Sequence, residues 1–204
     1  MGTFGAGWAR RLLTLGLAVA LVGAPTAVQA KAVVHVDPRG DPAIFSEKHV
    51  TKVPPDGDII RTRLAHKDRR ILIRIKFAEL RMRATKNEIE TRVLTNEGVV
   101  RWIRLTTTPK NPSGQVKIYH KDLPTNTWTE GHRCTVHHSI DYVHNVVSIS
   151  YARACISHPR WVRIDAGAHT TPDNEAIFKD DALRRGLGNT GLPYFQLSRR
   201  IHRG

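Results

Sequence analysis

The residues best equipped for chemistry gather in one stretch, from Cys134 to Asp165. It holds both cysteines of the chain, Cys134 and Cys155, and the polar groups His137, His138, Ser139, Asp141 and His144, with His132 just before it. Eleven histidines in the chain raise the question of a metal. Zinc needs three or four ligands converging at about 2 Å, and the spacing of His132, His137, His138, Asp141 and His144 matches no zinc motif. On a strand, His137 and His138 point to opposite faces, so at most one of them can serve. A hydrolytic reading would draw on Ser139, Asp141 and a nearby histidine. There is no Gly-x-Ser-x-Gly elbow, however, and three polar residues in one loop do not define a triad. Glu79, Glu88, Glu90, Glu97 and Glu130 are scattered over turns and strand edges rather than paired for glycoside cleavage. No catalytic residue, metal or cofactor is therefore assigned. For the two cysteines a bridge is expected, because an exported thiol pair stays oxidised. A Cys134–Cys155 disulfide closes a loop of about 20 residues, removes roughly 3 kcal/mol of unfolded-chain entropy, and excludes thiol catalysis.

The more coherent feature is cationic. Arg61 and Arg63 share one face of an alternating segment, Arg74 and Lys76 share a face of the next, and Arg92, Arg101, Arg104 and Lys117 lie further along. If these segments neighbour one another, a basic sheet surface results, suited to polyanions through many weak contacts. The plainer alternative is that the stems of these side chains only cover an open sheet face. Like charges opposed across a hairpin cost stability unless acids intervene, for which Asp68, Glu79 and Glu90 are available. Trp128, in a polar Thr-Asn-Thr-Trp-Thr segment, is the aromatic side chain best placed to stay exposed. With Trp102, Trp161, Tyr119, Tyr142 and Tyr151 it is a candidate for stacking on sugar rings, although core packing accounts for most of these rings and Trp161 is expected against the disulfide.

The positions of these residues depend on how the chain is punctuated. Residues 1–30 carry the three parts of an export signal: Arg10 and Arg11, an apolar run from Leu12 to Gly23, and small residues up to Ala30. Cleavage near Ala30 would place the protein outside the cell or at the envelope, by the general secretory route rather than the twin-arginine one, since the apolar run follows Arg11 directly. The formal net charge of +14 falls to +12 once Arg10 and Arg11 are removed. Outside a membrane the polyanions that such a field attracts are phosphate-bearing wall polymers, anionic lipid surfaces and extracellular nucleic acid.

Residues 31–57 read as an irregular entry with one edge strand at Val33–Val36, broken by Pro38, Pro42, Pro54 and Pro55. Residues 58–168 read as the folded domain. Its first hairpin runs from Ile59 to His66 and from Arg70 to Phe77, with Ile71, Ile73, Ile75 and Phe77 on one face against Arg74 and Lys76. A second hairpin turns at Asn96-Glu97-Gly98, where Asn and Gly accept the positive φ of a closing turn. Gln115–His120, Thr127–Cys134, Val146–Tyr151 and Trp161–Ala166 complete eight or nine short strands with no long helical period. The fold class expected is all-β: an antiparallel β-sandwich, in one variant a jelly roll, with a closed barrel as the alternative. Residues 169–204 read as a polar, Gly-rich tail with a short helix or turn at Asp180–Arg185, pinned only by Tyr194, Phe195 and Leu197.

The signal, the Asp58-led hairpin ending Ala65-His66, Tyr151-Ala-Arg-Ala-Cys155, Pro159-Arg-Trp-Val-Arg163, Asp180-Asp-Ala182 and the closing Ser198-Arg-Arg-Ile-His-Arg-Gly204 together form a pattern. It resembles small secreted bacterial single-disulfide β-sandwich proteins of unassigned function. That resemblance implies export, a sandwich and one disulfide, and supplies no catalytic residue. The function expected is a secreted non-catalytic binding or structural domain; the alternatives are a secreted hydrolase or a carbohydrate-binding module.

Overall fold

The computed structural model describes residues 31–45, 55–81, 86–122, 125–131, 134–171, 177–184 and 195–204. The expected export signal, His132 and Tyr194 lie outside the described residues. The protein is an all-β sandwich of two packed antiparallel sheets. Sheet A contains β1 (Lys31–Val36), β3 (Ile59–His66), β4 (Arg70–Phe77), β10 (Val146–Ala152) and β9 (Val136–Asp141), in that spatial order. Sheet B runs β2 (Ala43–Phe45), β13 (Ile177–Asp181), β12 (Gly167–Thr171), β5 (Lys86–Thr95), β6 (Val100–Thr108), β7 (Asn111–Asp122) and β8 (Thr127–Glu130). At one end β11 (Trp161–Ile164) pairs with β5 and with β14 (Ile201–His202).

The period of two in side-chain direction explains why these segments are strands. In β4, Ile71, Ile73, Ile75 and Phe77 are buried while Arg74 and Lys76 are exposed. In β5, Ile89, Thr91 and Val93 face inward and Glu90, Arg92 and Leu94 outward. The core forms where the two inner faces meet: Leu64, Ile73, Ile75, Val147 and Ile149 from sheet A against Ile89, Val93, Ile103, Leu105 and Ile164 from sheet B. Gly98, at φ 79°, lets the β5–β6 turn close, and its N–H donates to the Thr95 carbonyl at 3.2 Å.

Among the described residues the strand segments number fourteen, above the eight or nine expected, for two reasons. First, β11 and β12 are two halves of one ladder along β5. Ile164 faces Val93 and Gly167 faces Glu90, so the register never shifts. The interruption is Asp165, whose Oδ1 accepts the Arg92 N–H at 2.5 Å while its carbonyl accepts the Thr91 hydroxyl. Second, both flanking segments join the sandwich. The entry supplies β1 to sheet A and β2 to sheet B, and the stretch from 169 onward, read in the sequence as a tail, supplies β13 and β14. Residues 180–184 begin in strand and turn at Ala182 and Leu183, both buried; Arg185 lies outside the described residues.

The C-terminal segment is held in place by packing. Phe195 is buried over Gly167, where an added Cβ would lie 2.2 Å from its ring, and Ile201 is 2% exposed. The Cys134–Cys155 disulfide is present and joins the start of β9 to the 3-10 turn Arg153–Ile156 that follows β10. Trp161 lies under the Arg200 guanidinium, 4.5 Å from its ring centre, which is a different neighbour from the disulfide expected.

Candidate functional site

The outer face of sheet A collects four cations. Because β3 and β4 are antiparallel neighbours, Arg61 stands opposite Lys76 and Arg63 opposite Arg74. Alternation turns all four outward, and all four are exposed. They line a surface groove of about 400 Å³ with Val34, His144 and Val146. On one flank β1 presents Val34 and Val36, 48% and 67% exposed, an unusual position for large apolar side chains. On the other flank Ser148 of β10 faces Arg74 and Ser139 of β9 faces Ser148. At the rim, Asp141 is occupied by His144, whose backbone N–H and ring Nδ1 lie 2.9 and 2.7 Å from its carboxylate.

The four cations have no acid partner among the described residues. The acids that the sequence offered are engaged elsewhere: Asp68 with Arg203, Glu79 with Arg81, and Glu90 with Arg104. Sheet B differs in this respect. Arg104 pairs with Glu90 and Glu88, Lys117 with Glu130, and Arg92 with the buried Asp165 at 2.5 Å. Arg92, Arg104 and Lys117 therefore do not extend the basic surface of sheet A. They belong to the other layer, and there they are neutralised.

Trp128 is separated from the four cations in the same way. It sits on β8, at the edge of sheet B, its ring edge-on to Trp102 at 5.6 Å; Trp102 in turn lies 4.9 Å from Tyr119. The guanidinium of Arg104 covers Trp102 at 4.3 Å, which fills the face a sugar would use. Next to this cluster, a pocket of about 190 Å³ is lined by Glu90, Arg92, Trp102, Arg104, Asp165, His169 and Phe195. Burial, aided by the nearby Lys179, pushes the His169 imidazole down to about 4. Burial also pushes Asp165 up to about 7, with Arg92 opposing.

The loop residues weighed for hydrolysis do not assemble. Ser139 and Asp141 face outward from β9, whereas His138 faces the other way and its Nε2–H donates to the Ser113 carbonyl at 2.9 Å. Among the described residues the side chains that do meet at metal-ligand distance are Asp37, Asp41 and Asp180, a set drawn from opposite ends of the chain. Sequence pattern missed them because each sits in an ordinary turn or strand end, and only the sheet pairing brings them together. Comparison with known proteins adds no family: no family model, no curated protein and no solved structure matches this chain.

Proposed function

We propose that the protein is a secreted, non-catalytic binding domain that holds anionic envelope or extracellular polymers on the outer face of sheet A, through Arg61, Arg63, Arg74 and Lys76. The observation that carries this reading is that these four cations have no acid partner among the described residues, whereas Arg92, Arg104 and Lys117 of the other sheet are each paired with one. Strand geometry sets them on a grid of about 5 by 7 Å. Adjacent charges therefore fall within one Debye length, about 8 Å at physiological ionic strength, and the diagonal pairs at about that length, so the four act on a polyanion as one field. Opposed like charges cost stability, and their presence without an acid suits an external counter-charge. Phosphate-bearing wall polymers, anionic lipid surfaces and nucleic acid all offer one. The export signal in the sequence and the disulfide fit a place outside the cell or at the envelope.

A second reading, a carbohydrate-binding module, draws on the Trp102, Tyr119 and Trp128 cluster. One experiment separates the two: sedimentation with a phosphate-bearing wall fraction and with a neutral polysaccharide, each across a salt series. Retention on the first that disappears as salt rises supports the basic face, because phosphate contacts release counterions. Salt-insensitive retention on the neutral polymer supports the aromatic cluster. No retention on either at low salt would refute both.

A further inference from the structure

At one end of the sandwich, four aspartates converge from both sheets. Asp37 follows β1 and Asp58 precedes β3, both in sheet A; Asp41 precedes β2 and Asp180 lies in β13, both in sheet B. The carboxylate oxygens of Asp37, Asp41 and Asp180 lie within 4.8 Å of one another. Asp58 joins them by shaping the turn, its Oδ2 accepting the Gly40 N–H at 2.8 Å.

Burial makes this cluster unusual. Asp37, Asp58 and Asp180 are 4%, 2% and 4% exposed. Carboxylates removed from water are ordinarily met by hydrogen-bond donors or a counter-charge, since leaving them unmet costs several kcal/mol. Asp180 receives the Ile59 N–H at 2.5 Å. Asp37 receives none: neither of its oxygens has a hydrogen-bond partner, and Oδ1 of Asp58 has none either. The nearest basic atom to Asp37, Nε2 of His35, stands 3.8 Å away, beyond hydrogen-bond reach. A fully buried side chain with two orphaned oxygens, turned toward two further carboxylates, lacks a positive partner. Among the described residues no lysine or arginine makes an ion pair with Asp37, Asp58 or Asp180.

We propose that this cluster binds a divalent cation, calcium by preference, with Asp37, Asp41 and Asp180 as ligands and Asp58 holding the turn that presents them. An all-oxygen, carboxylate-rich set selects hard cations over zinc or copper. Calcium takes many carboxylate oxygens in flexible geometry, whereas magnesium keeps most of its waters and takes only one or two carboxylates, so a site of three carboxylates favours the larger ion. Ionised carboxylates this close also repel one another. A bound cation offsets that repulsion. It also ties the entry segment and sheet A to β13 of sheet B, so its role is to clamp the sandwich shut at this end.

The test is calorimetric titration of the EDTA-treated full chain with calcium and with magnesium, alongside thermal unfolding in each. The expected result is one class of site with heat of binding for calcium, and a melting temperature that climbs with calcium concentration and less with magnesium. Asp37→Asn should abolish both responses and, in EDTA, melt no lower than the unsubstituted protein, because it removes a buried carboxyl whose oxygens have no hydrogen-bond partner. Asp41→Asn, at a less buried position, should lose the calcium response too, and decides the matter if Asp37→Asn does not fold. An unchanged melting temperature between EDTA and about 10 mM calcium, with no heat of binding, overturns the proposal. So does a calcium response that survives in Asp41→Asn together with any folded Asp37→Asn.

Discussion

Replacing Arg61, Arg63, Arg74 and Lys76 together with Gln separates binding from folding. Among the described residues these side chains make no ion pair or hydrogen bond that the change would break, and their backbone register in β3 and β4 is set by the buried alternate residues. Removing two directly opposed like-charge pairs relieves repulsion of order 0.2–1 kcal/mol each before screening. The variant should therefore melt at the same temperature or up to about 4 °C higher. Binding should change in a way that counts contacts. Four phosphate contacts on a single-stranded polyanion give a log–log salt slope near −0.7 per contact, about −2.8 in all. A fourfold rise in salt then weakens the unsubstituted protein about 50-fold, whereas the variant should be nearly flat. The assay is co-sedimentation or fluorescence titration with a phosphate polymer at several salt concentrations, with Lys110, Arg160, Arg199 and Arg200→Gln as an equal-charge control from exposed positions elsewhere. If the control loses the slope as fully as the sheet variant, net charge alone drives binding and the patch has no special role. If the sheet variant keeps its slope, the face reasoning is wrong.

Three further outcomes test the physical account of the fold. Reduction of Cys134–Cys155 should lower unfolding free energy by roughly 3 kcal/mol, read as a shift in denaturant midpoint with and without reductant; no shift would mean the closed loop is already constrained. Gly167→Ala drives a methyl group into the Phe195 ring and should cost about 1–3 kcal/mol, part of it recovered by adding Phe195→Leu. The pair should be compared by thermal melts, and a neutral Gly167→Ala would show that the C-terminal segment is not packed there. His169 should make the protein acid-sensitive. Its folded value, about 4, lies below the 6.5 of an unfolded histidine, so acidification across that window protonates only the unfolded chain. The stability contributed is present above 6.5 and falls by about 3 kcal/mol toward pH 4, measured as the difference from His169→Gln. Lys179, Glu88, Arg104 and Lys86 face this ring and stay in both proteins, so parallel pH profiles for the two would refute the assignment.

Much of the architecture is written in local pattern. Ile71, Ile73, Ile75 and Phe77 against Arg74 and Lys76 dictate a strand with one apolar face, because side-chain direction repeats every two residues whatever lies beyond. Asn96-Glu97-Gly98 dictates a turn through its tolerance of positive φ. With only two cysteines in the chain, a bridge had one possible pairing.

Tertiary structure alone decided which sheet each hairpin enters. Alternation reports a face but not a neighbour, so Arg92, Arg104 and Lys117 looked like a continuation of Arg61 and Arg74 until pairing set them on opposite layers, beside Glu90, Glu130 and Asp165. The same limit hid the C-terminal strands. Polar, Gly-rich residues give no period, and β13 and β14 exist because Phe178, Phe195 and Ile201 find apolar partners far away in sequence. It hid the four aspartates as well, since carboxylates drawn from three separate segments, the β1–β2 connection, the start of β3 and β13, have no common spacing to read. Their geometry belongs to the contact between two sheets, which forms only when the chain closes.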